Sequence, residues 1–133
     1  INNQVVLFYK HPKQTVKTVN DYRYYLISQL YNQMMAARLN EITQKPTAPF
    51  IYAGAAYGSF LGRTTDAYTG FALAKDNQIE KSLKVLLDED KRVLDYGFTK
   101  TEFERQLKNL KRSYERAFAE KDKTNSSRLI KEY

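Results

Sequence analysis

The stretch that decides the fold runs from Asp21 to Ala56 and reads DYRYYLISQLYNQMMAARLNEITQKPTAPFIYAGAA. Its first half repeats apolar side chains at spacings of three and four, which is typical of one face of an α-helix: Leu26, Ile27, Leu30, Tyr31, Met34, Met35, Leu39 and Ile42. The opposite face is polar, with Arg23, Gln29, Asn32, Gln33 and Asn40. Pro46 and Pro49 end the helical pattern, and FIYAGAA then predicts a strand over Phe50 to Ala56.

Two further strands flank this stretch. The β-rich run from Gln4 to Tyr9 predicts the first, and AYTGFALA from Ala67 to Ala74 predicts the last. The segment Gly62–Asp66 predicts a hairpin turn that pairs the last strand with the one before it. The glycines at 54, 58 and 62 either weaken the middle strand or mark bends and bulges.

Polar residues mark the ends of the helices. The capping-box spacing, in which a hydroxyl side chain precedes a carboxylate by three residues, occurs twice: at Thr18 with Asp21, and at Thr99 with Glu102. Asp76 predicts the N-cap of a second helix, which Gly97 ends. After a break at Asn125–Ser127, a fourth helix is predicted from Ser127 and is unfinished at Tyr133.

Strands and helices therefore mix along one domain, residues 1–133. The order predicts an α+β fold, with an antiparallel or mixed sheet and long helices packed on one of its faces. The chain has no initiator Met and stops within a predicted helix, so it is interpreted as a piece of a larger protein, and its cut ends favour self-association. No apolar run is long enough for a membrane span, and the N-terminus does not have the pattern of a signal peptide.

The net charge of +7 admits nucleic acid as a partner. The basic residues are spread along the chain, however, and on the third helix Lys108, Lys111, Arg112 and Arg116 alternate with Glu104 and Glu115. We therefore expect solvated, salt-bridged helix faces and no nucleic-acid binding. The eleven tyrosines similarly admit a stacking platform, but the favoured interpretation is that those of the first helix pack it against the sheet: Tyr22, Tyr24, Tyr25 and Tyr31.

No catalytic or metal site is predicted within this sequence. His11 is the only histidine and there is no cysteine, so neither a zinc motif nor a thiol nucleophile can form. The consecutive carboxylates Asp88, Glu89 and Asp90 point around a helix rather than converging, and are interpreted as a solvated helix end. The spaced glycines lack the lysine of a phosphate-binding loop.

Three ordered segments carry a resemblance to a known family. They are YKHPKQTVKTVNDYRYYLISQLYNQMMAARLNEI, PFIYAGAAYG, and DYGFTKTEFERQLKNLKRSYERAFAEKDKTNSSRLIKEY, with Gly97–Phe98–Thr99 followed by Glu102 as the most typical phrase. The chain resembles the second, non-catalytic domain of insulinase/pitrilysin-type zinc metallopeptidases, the inverzincins. It is most similar to the large bacterial proteases built from four homologous domains.

The resemblance implies a zinc-dependent endopeptidase in which the H-x-x-E-H motif and the zinc belong to another domain. It also implies an Arg–Tyr pair, seven residues apart, that holds substrate in a later domain. Tyr52 matches the tyrosine and is the one candidate for substrate contact. The arginine positions, Lys45, Gln44 or Thr43 depending on the alignment, hold no arginine, and Arg38 matches a separate arginine at the end of the helix.

We therefore expect a structural, chamber-forming domain of a zinc peptidase. It would carry no cofactor of its own, and its partners would be the other domains of the peptidase and a peptide substrate. The family favours a periplasmic or cell-envelope location. The alternatives left open are a binding or assembly module without peptidase activity and, less favoured, a basic nucleic-acid-binding domain.

Overall fold

A computed structural model describes residues 3–61 and 63–121 of the chain. It contains three strands and three helices in the predicted order. Their bounds are β1 (Asn3–Pro12), α1 (Val19–Thr43), β2 (Phe50–Ser59), β3 (Thr65–Ala74), α2 (Ile79–Tyr96) and α3 (Lys100–Ala119). The predicted break at Asn125–Ser127 and the fourth helix lie outside the described residues.

The three strands form one antiparallel sheet in the order β1-β3-β2. The predicted hairpin of β2 and β3 is confirmed, and the Phe60 N–H donates to the Thr65 carbonyl at its closed end. The register places Tyr9 and Tyr57 on either side of Tyr68. Strand β3 lies in the centre and pairs with both β1 and β2. In the sheet formed by the described residues, β1 and β2 are therefore the edge strands.

The helix ends follow the capping chemistry at three of the four predicted positions. Both capping boxes form, and Gly97 ends α2 with a positive φ of 68°. The prediction that Asp76 caps α2 is wrong, because the chain makes a turn through Asn77 before the helix begins, and Gln78 becomes the N-cap without a side-chain hydrogen bond. The Asp76 carboxylate instead lies 3.5 Å from the Asn3 amide of β1.

The core lies between one face of the sheet and the helices. Its fully enclosed centre comes from α1, β2 and α2, where Met35, Leu39, Phe50 and Leu86 are buried. Strand β3 contributes the small, fully buried residue Ala72 to the same cluster. Small residues on the strand allow the helices to approach the sheet closely. The core lies on one face of the sheet, and the predicted arrangement of helices packed on that face is confirmed.

The sequence pattern assigns too much of α1 to the core. Its buried residues begin only at Leu30, so Tyr22, Tyr24, Tyr25 and Ile27 remain exposed. The prediction that the first three tyrosines pack against the sheet is therefore wrong: Tyr22 stacks on Tyr25 and its hydroxyl lies 3.5 Å from that of Tyr114 in α3. Tyr31 does reach the core, where its ring meets the edges of Tyr68 and Phe98.

One polar residue of α1 also faces the sheet. The Asn32 amide donates to the Tyr57 carbonyl at 2.9 Å, and its oxygen accepts from the Tyr57 N–H at 2.7 Å. Both backbone groups lie on the edge strand β2. An exposed edge with unpaired backbone groups is a template for strand addition, so Asn32 blocks the pairing of a further strand at this point.

Arg38 joins the three helices. Its guanidinium donates to both carboxylate oxygens of Glu102 in α3, at 2.9 and 2.8 Å, and lies 4.9 Å from the centre of the Phe98 ring. The third nitrogen, Nη1, lies 4.0 Å from the Glu89 carboxylate of α2, which is close enough for an ion pair but too far for a hydrogen bond. Glu102 also accepts from the Thr99 backbone, so one carboxylate serves both the ion pair and the cap of α3.

Replacement of Arg38 by methionine tests this junction. The variant Arg38→Met keeps an apolar stem beside Phe98 but removes the cation that Glu102 binds and leaves the buried Glu89 with Arg92 alone. We expect a loss of about 3 kcal/mol in the free energy of unfolding, measured by urea denaturation followed by circular dichroism. Arg105→Met is the matched control, because its ion pair with Glu41 is exposed and should contribute less than about 1 kcal/mol. Equal losses in the two variants would contradict the assigned role of Arg38.

The pH dependence of stability provides a separate test. The hydrogen bonds from Arg38 and Thr99 lower the pKa of Glu102 to about 2, against an ordinary value of 4.5. A lowered pKa contributes stability that is complete above pH 4.5 and is lost as the pH falls toward 2. The difference in the free energy of unfolding between the native chain and Glu102→Gln should therefore decrease as the pH falls from 4.5 to about 2. Urea denaturation at a series of pH values measures this difference. The difference for Glu104→Gln, whose pair with Lys100 is exposed, should be small throughout.

Candidate functional site

The face of the sheet opposite the helices is apolar and open. Residues Val6 and Phe8 of β1, Phe71 and Leu73 of β3, and Tyr52 of β2 share this face. Phe8 packs on Phe60 with ring centres 4.9 Å apart, and Tyr52 packs on Phe71 at 5.5 Å. No described helix covers these rings. We call this set of residues the open sheet face.

Gly54 shapes the open sheet face. The ring of Phe71 lies across it so closely that a Cβ added at Gly54 would stand 2.8 Å from Phe71 Cε1. A bulge at this glycine is contradicted, because the pairing of β2 with β3 passes through Gly54 without a register shift and the irregularity lies between Phe50 and Tyr52. Gly58 is likewise within β2, and Gly62 lies outside the described residues.

Tyr52, the predicted substrate-contact residue, stands on this face with 55% of its surface exposed. Its hydroxyl has no hydrogen-bond partner among the described residues. Two of the three positions that could have carried an arginine have local roles in α1. Gln44 is the C-cap of the helix, and the Thr43 hydroxyl donates to the Leu39 carbonyl. Arg38 is held by Glu102. Among the described residues, no cation–π contact joins a basic side chain to the Tyr52 ring.

The three consecutive carboxylates of α2 have three different environments. Asp88 is exposed and pairs with Lys84, as expected for a solvated helix. That interpretation is wrong for the other two, because Glu89 is only 5% exposed beside Arg38 and Arg92, and Asp90 accepts a hydrogen bond from the Tyr68 hydroxyl. Among the described residues, no three His, Cys, Asp or Glu side chains lie close enough together to hold a metal ion.

A concave surface lies on the helical side of the sheet, lined by residues of α1, α2 and all three strands. It is a groove of about 880 Å³. Four tyrosines from the sheet and α1 line it, together with Asp90 and apolar residues of the two helices: Tyr9, Tyr31, Tyr57, Tyr68, Ile27, Leu87, Val93 and Leu94. His11 also borders this groove and meets the edge of the Tyr57 ring at 5.8 Å. We call this surface the tyrosine groove.

Burial governs the titration of the groups on the floor of the tyrosine groove. Desolvation raises the pKa of Asp90, although the Tyr68 hydroxyl opposes this by donating to it. Desolvation also raises the pKa of Tyr31, and with the neighbouring Asp90 it raises the pKa of Tyr68 strongly. Both tyrosines therefore stay neutral hydrogen-bond donors over any ordinary pH range. Sequence reasoning missed this cluster because its members come from α1, β3 and α2.

The charged face of α3 is a set of exposed ion pairs. Lys100 pairs with Glu104, Lys111 with Glu115, and Arg116 with Glu120, each four residues apart. This confirms the predicted salt-bridged exposure of the helix. None of the three helices in the described part of the chain combines the length and hydrophobicity that a membrane span requires.

Comparison with solved structures reveals a shared fold. The first half of the periplasmic protease PqqL from Escherichia coli superimposes with a TM-score of 0.80 at 16% identity, over 94% of this chain and 27% of that one. The structure of PqqL itself gives a TM-score of 0.84 at 15% identity, over 97% of this chain and 14% of that one. This chain has the fold of a part of PqqL.

The likeness to PqqL confirms the resemblance to insulinase/pitrilysin-type peptidases as a likeness of fold, together with the predicted α+β class. The chain spans about one quarter of the half-length structure and about one seventh of the complete one. No protein-family model matches the sequence, and no curated protein matches it.

The tyrosine groove and the open sheet face differ in how much a single tyrosine hydroxyl should contribute to stability. Tyr68→Phe removes the one donor that the described residues offer to the partly buried Asp90 carboxylate, so we expect a loss of about 1–3 kcal/mol in the free energy of unfolding. Tyr52→Phe removes a hydroxyl with no partner among the described residues and should change the free energy of unfolding by less than about 0.5 kcal/mol. Urea denaturation of both variants measures the difference. A larger loss for Tyr52→Phe would show that the hydroxyl is engaged in the native protein.

Proposed function

We propose that this chain is a non-catalytic domain of a larger zinc-dependent endopeptidase, in which it forms part of the wall of the substrate chamber. The observation that carries the proposal is the fold: nearly all of the chain superimposes on parts of a periplasmic protease several times its length. The reaction of the whole protein would be peptide hydrolysis by metal-activated water. The zinc would belong to another domain, as the resemblance to insulinase/pitrilysin-type peptidases implies.

The geometry supports a role in lining the substrate chamber rather than in catalysis. The open sheet face presents aromatic rings at fixed positions on a rigid sheet, and Tyr52 stands among them. Such a surface can contact the side chains of an extended peptide by apolar packing and leave the tyrosine hydroxyl free to donate a hydrogen bond. Since Asn32 occupies both backbone groups of Tyr57 on β2, we place the peptide against this face rather than along that edge at Tyr57.

The partners of the chain would then be the other domains of the same peptidase and a peptide substrate. A periplasmic location is the natural one for such a protein, since the protein that shares its fold is a periplasmic protease. Isolated chains would tend to self-associate, because the open sheet face leaves a contiguous apolar surface in water.

The second candidate is an assembly module without peptidase activity. The same open sheet face favours it, because an exposed apolar sheet needs a protein partner whether or not a peptidase is involved. The two functions differ in what the rest of the gene encodes. An H-x-x-E-H motif in the preceding domain supports the peptidase, and a complete reading frame without one supports the assembly module.

Photo-cross-linking tests the contact between peptide and open sheet face. We place p-benzoylphenylalanine at position 52 and, in a separate variant, at position 24. Tyr24 is the matched control because it is 56% exposed, almost the same as Tyr52, but lies on α1. With a mixture of short unstructured peptides, cross-linked product should form from position 52 well above the level from position 24, read by mass spectrometry. Equal yields from both positions would count against the proposed peptide surface.

A further inference from the structure

The tyrosine groove contains a carboxylate, Asp90, that forms no ion pair within the described part of the chain. One oxygen of Asp90 accepts from the Tyr68 hydroxyl. The other, Oδ2, is buried and has no hydrogen-bond partner among the described residues. The neighbouring Lys91 does not compensate, because its side chain is 73% exposed and its ammonium pairs with Asp95 at 2.8 Å. A buried carboxylate oxygen without a donor is unfavourable, so this position favours a ligand that brings a donor and a positive charge.

Aromatic rings surround the approach to Asp90. The ring of Tyr68 lies 6.0 Å from that of Tyr9 and 6.1 Å from that of Tyr31, and all three line the groove. The faces of tyrosine rings attract organic cations. His11 and Lys91 are the basic groups that border the groove, and Lys91 is already paired with Asp95. The electrostatic character of the floor is therefore set by one carboxylate among neutral aromatic rings.

The rim of the groove is apolar. Ile27 of α1 and Leu87 and Leu94 of α2 are exposed along its two sides, and Leu94 is 84% exposed. These side chains can bury the apolar part of a ligand whose charged end reaches the floor. The groove therefore suits a ligand with a long aliphatic stem, a compact cationic tip and apolar neighbours.

We propose that the tyrosine groove binds the lysine side chain of an apolar peptide segment, with the lysine ammonium donating to Asp90. Lysine fits better than arginine because Oδ2, the Asp90 oxygen without a donor among the described residues, is enclosed, and a compact ammonium needs less space beside it than a planar guanidinium. The two-pronged guanidinium of arginine needs both oxygens for its best geometry, whereas an ammonium binds as a point charge. The site lies on the helical side of the sheet, away from Tyr52, and does not depend on the proposed peptidase function.

A set of three matched peptides tests the proposal on the native chain. The first is acetyl-Leu-Lys-Leu-amide, and the other two replace lysine by norleucine and by arginine. Titrations of the isotope-labelled chain are followed by nuclear magnetic resonance. The lysine peptide should bind about tenfold more tightly than the norleucine peptide, the factor that one charge-assisted hydrogen bond supplies. It should also bind more tightly than the arginine peptide and shift the resonances of Tyr31, Tyr68 and Asp90.

Variants of α2 identify the carboxylate responsible. Asp90→Asn keeps the shape and an acceptor for Tyr68 and should abolish the preference for lysine over norleucine. Asp88→Asn, two residues away on the same helix and exposed, should leave it unchanged. The proposal is overturned if norleucine or arginine binds as tightly as lysine, if the shifts lie elsewhere, or if Asp90→Asn keeps the preference. The comparison of peptides on the native chain remains decisive even if Asp90→Asn fails to fold.

Discussion

The paired hydrogen bonds between Arg38 and Glu102 are the interaction on which the helical layer depends. Arg38 comes from α1, the helix that covers the sheet, and Glu102 begins α3, so the pair fixes where the third helix starts relative to the first. Glu89 of α2 lies beside the same guanidinium. Because a partly buried ion pair is stable only when both charges are present and well oriented, the positions of three helices are linked through one side chain.

The two faces of the sheet are very different. The helices fill one face and bury Met35, Leu39 and Phe50 against small residues of the strands. The other face keeps its aromatic side chains in solvent, with Tyr52 and Phe71 packed on each other over Gly54. A domain that needs no partner rarely exposes such a surface, which is why the open sheet face supports a role inside a larger assembly.

Local signals in the sequence predicted the elements well. Both capping boxes and the glycine that ends α2 lie where the residue types require them, because a cap is decided by side chains within three or four residues of it. The error at Asp76 arose in the same way, since its carboxylate is suitable for a cap but the turn through Asn77 moves the helix start to Gln78. The assignment of the first tyrosines of α1 to the core failed because helical periodicity shows which face is apolar, not how far along the helix the sheet extends.

The sequence by itself determined the α+β class, the order of its elements and the absence of a local metal or nucleophile motif, since each depends on residue type and short spacing. Only the tertiary structure decided that β1 pairs with β3, that Asn32 binds the Tyr57 backbone on the edge of β2, and that Arg38 meets two carboxylates about fifty and sixty-four residues away. It also decided that Asp90 lies under tyrosines from other elements. These contacts join residues distant in the chain, and their partners are chosen by how the helices pack on the sheet, which no local pattern records.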